Sequence, residues 1–218
     1  MKVKLNIPTD LSEVTLEQYQ KFHKLDTEEN RGSTFLMQKM VEIFCDIDLM
    51  NLAKIKYQDV YDIAYQLNQM FDQSYKLKLK VNLDGQEFGF IPILDEISLG
   101  EYIDLDENFG DWDKMHKAMA VLYRPITHNK EERYDIEEYQ GDKNSELMKK
   151  LPLDVVLGSM VFFWNLSDEL LRVTLRSLEQ DIPLTTEQRQ ILEENGGGIR
   201  ASTHYLEEIF KGLKISLN

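Results

Sequence analysis

Leu153-Asp154-Val155-Val156-Leu157-Gly158-Ser159-Met160-Val161-Phe162-Phe163-Trp164-Asn165-Leu166 decides the fold class. Pro152 stands where the first turn of a helix tolerates it, and the helical pattern runs on to about residue 178. Its first half is apolar almost all round, so other elements must enclose it. The chain is therefore expected to fold around this helix. Gly158 and Ser159 interrupt the run, and a membrane span needs roughly 20 apolar residues. Phe162, Phe163 and Trp164 are bulky and consecutive, so they point to different sides. A core role is the plain reading. The functional alternative is a docking surface, because aromatic side chains dominate interface hot spots.

Outward from that helix the chain keeps a mainly helical pattern. Thr15 caps a helix carrying Leu16, Tyr19 and Phe22. A second helix over 33–45 carries Phe35, Leu36, Met40, Ile43 and Phe44; a third, over 57–73, carries Val60, Ile63, Ala64, Leu67, Met70 and Phe71. The period then changes to two. Leu77, Leu79, Val81 and Leu83 alternate with polar residues, Asp84-Gly85 follows, and Phe88, Phe90 and Ile91 lie beyond it. Apolar alternation on both sides of Asp-Gly predicts a hairpin over 76–92. Two strands alone are marginal, and Val3, Leu5 and Ile7 also alternate, so the N-terminal residues 1–8 are expected as the third strand.

Further along, Ser98 can cap a short helix, and a helix over 112–123 stops before Pro125. Residues 126–150, and 128–144 above all, are charged and weakly patterned, which predicts an exposed loop. Thr185 or Thr186 can cap a further helix ending at Asn195, the glycines 196–198 read as a joint, and 201–212 reads as an amphipathic helix. The expectation is one mainly α domain of α+β type over 1–218. It has a small antiparallel sheet from the hairpin and the N-terminal strand, and its C-terminal part, 151–218, is helical.

The chain has 218 residues, 42% apolar and 29% charged, with a formal net charge of −14. A pI near 4.7 disfavours nucleic acid and anionic membrane surfaces as partners, since both are held by Lys and Arg. Such acidity suits solubility, or a basic protein partner. The N-terminus alternates polar and apolar residues where a signal core would be apolar, so a cytoplasmic protein is expected. Cys45 is alone, which leaves no internal disulfide, and its apolar neighbours suggest a small buried hydrophobe.

Charge concentrates in residues 95–113, which hold eight carboxylates and no Lys or Arg. Glu101, Asp104, Asp106, Glu107, Asp111 and Asp113 are the candidate protein-binding residues there, together with Phe162, Phe163 and Trp164. Eight negative charges in 19 residues would orient a basic surface. The plainer reading is a solvated acidic face. A calcium loop starting at Asp104 fails on spacing: Gly110 is seventh where the turn glycine should be sixth, and the twelfth residue is Met115. The glycines 196–198 lack the Lys-Ser or Lys-Thr pair of a phosphate loop. His23, His116, His128 and His204 show no metal-ligand spacing, and His116 suits a satisfied core position. No catalytic residue, cofactor or metal ligand is expected, and the chain is read as no enzyme.

Four segments carry a resemblance. They are Thr15-Leu16-Glu17-Gln18-Tyr19-Gln20-Lys21-Phe22; Phe90-Ile91-Pro92-Ile93-Leu94-Asp95-Glu96-Ile97-Ser98-Leu99-Gly100-Glu101-Tyr102-Ile103-Asp104-Leu105; Met115-His116-Lys117-Ala118-Met119-Ala120-Val121-Leu122-Tyr123-Arg124-Pro125; and Leu151-Pro152-Leu153-Asp154-Val155-Val156-Leu157-Gly158-Ser159-Met160-Val161-Phe162-Phe163. Together they resemble small acidic proteins of the tail-gene regions of tailed bacteriophages. The resemblance implies a part in building the tail or baseplate, as an assembly chaperone or as an adaptor, ring or baseplate subunit kept in the virion. The implied partners are other phage structural proteins, met in the host cytoplasm. It supplies no catalytic residues. A DNA-mimicking inhibitor would fit the charge but not the hydrophobic content.

Overall fold

The computed structural model describes residues 5–130 and 133–181. Four helices come first: α1 (Leu16–His23), α2 (Thr34–Phe44), α3 (Leu49–Leu52) and α4 (Tyr57–Gln69). The hairpin β1 (Lys80–Leu83) and β2 (Gln86–Phe90) follows, then α5 (Leu99–Asn108) and α6 (Met115–Leu122). The strands β3 (Tyr123–Lys130) and β4 (Arg133–Ile136), the short α7 (Ser145–Met148) and the long α8 (Leu153–Asp181) complete it. The architecture is mainly helical α+β. The further helix over 185–195, the 196–198 joint and the 201–212 helix lie outside the described residues.

Local chemistry sets the element boundaries. Thr15 and Gln18 form a reciprocal cap on α1, with Gln18 N–H donating to Thr15 Oγ1 at 3.2 Å and Thr15 N–H to Gln18 Oε1 at 2.9 Å. At the β1–β2 turn Asp84 and Gly85 both adopt positive φ, as a two-residue turn between twisted strands requires.

The sheet departs from the expectation. Its strands are antiparallel in the order β1-β2-β3-β4, so among the described residues the hairpin's neighbour is β3. Residues 1–4 lie outside the described part, and 5–8 are in no strand. Leu5 and Ile7 still pack against the core, so the apolar alternation there marks one buried side without strand pairing. Residues 128–144, expected as a loop, contain most of a second hairpin. Its charged residues gave no apolar alternation, but Ile126 pairs with Ile136 and Lys130 with Arg133. Pro125, which has no N–H to donate, lies where β4 ends: its carbonyl accepts the Glu137 N–H at 2.9 Å, and a register shift follows between Ile126 and His128.

Nearly all of α6 and the first two turns of α8 are buried. Helix α8 passes so close to residues 76–77 that a Cβ on Gly158 would overlap the Lys76 carbonyl. Beside it, the buried Tyr123 hydroxyl donates to Lys78 O at 2.8 Å and lies 3.1 Å from Ser159 Oγ. The small residues that interrupt the apolar run are therefore where the segment leading into β1 comes closest to the helix. His116 is a satisfied core histidine: Gln20 Nε2 lies 3.2 Å from its Nδ1 while donating to Trp112 O at 2.6 Å, and burial lowers its pKa. Cys45 is buried as expected, and burial pushes its thiol up to about 11.

Candidate protein-binding site

Ser98 and Glu101 start α5 with a capping box, Ser98 N–H donating to Glu101 Oε2 at 2.7 Å and Glu101 N–H to Ser98 Oγ at 3.3 Å. The other oxygen of that carboxylate, Oε1, lies 2.6 Å from Nη2 of Arg124 on β3. Glu101 is only 6% exposed, so its place is structural and not partner-facing. A buried guanidinium needs a counter-charge, and the cap holds one in place.

The remaining carboxylates divide by their partners. Asp104 is half-buried and accepts the Tyr139 hydroxyl; burial, and then that contact, hold the phenol well above its ordinary range. Asp111 pairs with Lys114 at 3.4 Å and Asp113 with Lys24 at 3.1 Å. Asp106 and Glu107 are exposed, and among the described residues neither makes an ion pair or hydrogen bond. The acidic stretch is thus only partly a free negative face.

The orientation of α5 is the unusual feature. Its buried residues are Glu101 and Asn108, both polar. Its exposed large residues are Leu99, Tyr102 and Ile103, and Leu99 is 74% exposed. These occupy i, i+3 and i+4, with Asp106 at i+7, and so share one outward stripe. Ile93, before the helix, is exposed as well. A helix normally turns its apolar stripe inward; this one turns it toward solvent, with Asp106 and Glu107 beside it.

Next to the stripe, a cleft of about 540 Å³ opens between residues 91–98 and 135–139. Arg124 and Glu101 line it, and Glu96, Asp135, Glu137 and Glu138 surround it. Among the described residues Arg124 Nε has no hydrogen-bond partner. No local pattern marks this cleft: Arg124 sits in a strand whose pattern is hidden by Pro125, and residues 135–139 read mainly as charge.

Phe162, Phe163 and Trp164 are half-buried and packed against the core. The Phe162 ring meets Phe90 edge-on at 5.7 Å, and Phe163 meets Phe109, just after α5, at 5.1 Å. Consecutive rings can all find contacts because β2 lies on one side of α8 and the end of α5 on another. They seat α5 on α8. Among the described residues no group of three His, Cys, Asp or Glu side chains is placed to hold a metal ion, and no described helix is long and apolar enough to cross a membrane. No protein-family model, curated protein or solved structure matches this chain.

Proposed function

We propose that the chain is a non-enzymatic bacteriophage assembly factor of the tail or baseplate chaperone type, acting in the host cytoplasm by binding another phage structural protein. The observation that carries the binding reading is the outward apolar stripe Leu99, Tyr102 and Ile103 beside unpaired carboxylates. Apolar side chains held in water on a well-capped helix lower free energy when a partner covers them, at roughly 25 cal/mol per Å². Asp106 and Glu107 favour a basic partner and disfavour nucleic acid or an anionic membrane. The phage setting draws on the resemblance of the four segments quoted above.

The test is affinity capture of the tagged chain from cells infected with the phage that encodes it. A tail or baseplate protein should be recovered by the wild type and lost with Leu99→Ser/Tyr102→Ser/Ile103→Ser. Recovery of no such protein by the wild type would refute the proposal.

A second reading, a virion subunit kept as an adaptor, ring or baseplate component, draws on the length of α8. It has 29 residues, about 43 Å at 1.5 Å each, and after the buried first two turns, which reach Met160, residues 161–168 are half-buried or exposed. Mass spectrometry of purified particles separates the two: fixed copy number marks a subunit, absence a chaperone.

A further inference from the structure

A groove of about 490 Å³ lies between α2 and α4, sharing no residue with the cleft beside α5. Buried Phe22, Met40, Ala64 and Phe71 line its depth. Ala64 presents only a methyl group there. Along α4 stand Tyr57, Tyr61 and Tyr65, which are 63%, 49% and 59% exposed. They recur every four residues, so their Cα atoms climb about 12 Å over two turns. None of their hydroxyls has a hydrogen-bond partner among the described residues. The far end is closed by the 26–33 turn, where Arg31 Nε sits 3.3 Å from Asp26 Oδ1.

We propose that this groove is a second docking site, for a basic amphipathic helix of another protein. The occupant follows from shape and charge together. A trough open along about two helical turns, apolar below and aromatic at its rim, matches an inserted helix whose apolar anchors lie one turn apart. Residues 26–72 carry nine carboxylates against four Lys or Arg, and Arg31 is already held by Asp26. Exposed Asp62 neighbours Tyr61 on α4, and exposed Glu28 and Glu29 stand on the closing turn. Lys or Arg flanking the anchors would meet those carboxylates and the faces of the tyrosine rings, which attract cations. Free phenol hydroxyls are left to bond the partner's polar groups.

The inference stands apart from the α5 reading, because the two surfaces can be altered separately. The probe is a synthetic 18-residue Leu/Lys amphipathic helical peptide, with its Leu/Glu counterpart as control, titrated by calorimetry into the full chain. The Leu/Lys peptide should bind, the Leu/Glu peptide should not, and Tyr57→Ser/Tyr61→Ser/Tyr65→Ser should weaken binding at least tenfold. Tyr61→Ser alone should weaken it several-fold, which keeps the test alive should the triple variant melt early. Leu99→Ser/Tyr102→Ser should leave the groove's share of binding intact. Equal binding by the tyrosine variants, binding of the Leu/Glu peptide, or tyrosine-dependent self-association of the chain in sedimentation would each overturn the proposal.

Discussion

Helices α5 and α8 bury opposite kinds of side chain. The start of α8 is an apolar cylinder, and its polar or small positions, Gly158 and Ser159, are where other backbone and the Tyr123 hydroxyl come closest. In α5 the buried positions are polar, and Leu99, Tyr102 and Ile103 stand in solvent beside Asp106 and Glu107. The difference teaches that burial alone does not identify the functional surface. What marks α5 is that its most buried groups are polar, with Leu105 and Phe109 packing beside them, while the stripe of Leu99, Tyr102 and Ile103 is left unused.

The comparison can be broken most severely at Arg124. Arg124→Ala would leave the Glu101 carboxylate buried without its cation, and the expected loss is about 3–5 kcal/mol in urea unfolding. Arg124→Met combined with Glu101→Leu should recover most of it; if the single variant costs nothing, α5 is not held by the pair. On α8, Gly158→Ala should cost about 1–3 kcal/mol in the same measurement, because the new methyl meets the Lys76 carbonyl, which is backbone and cannot rotate away. An unchanged midpoint would mean that α8 can slide.

Between these lies His116, on the buried helix α6. Burial lowers its folded pKa below the ordinary 6.5, and His23 is lowered by the same cause. The unfolded chain therefore takes up protons first, so stability is full above about pH 6.5 and falls as pH drops below it. His116→Gln should flatten part of that decline in thermal melts at pH 7 and pH 5. The smallest stability effect belongs to the outer stripe. Leu99→Ser with Tyr102→Ser should change unfolding free energy by about 0.5 kcal/mol or less per site while abolishing partner capture.

The sequence reached those elements in which one local signal dominates. Asp84-Gly85 needs positive φ and found it; Thr15 and Ser98 had side chains able to cap; α2, α4 and the start of α8 had one clear apolar pattern. It failed where tertiary pairing supplies what the local pattern lacks. Residues 133–136 have charged members and little alternation, yet β4 is satisfied by backbone bonds to β3. The facing of α5 was hidden for another reason. Leu99, Tyr102 and Ile103 form a good helical stripe, and distant partners, Arg124 on Glu101, Tyr139 on Asp104 and Phe163 on Phe109, decide which way that stripe turns. Tyr57, Tyr61 and Tyr65 were visible at regular spacing but lay just beside the stronger stripe of Val60, Ile63, Ala64 and Leu67.

One tie made early in the chain depends on residues made late. Leu16 N–H donates to Leu151 O, Glu17 N–H to Lys149 O and Leu153 N–H to Val14 O, each at 2.8 Å. On the ribosome, the first helix must wait for more than 130 further residues before these bonds can close. Until then its apolar side lacks its final cover, and loop closure of that length is slow to nucleate. Chains cut short before residue 149 would carry α1 with no place to dock, and would be the forms that proteases clear first.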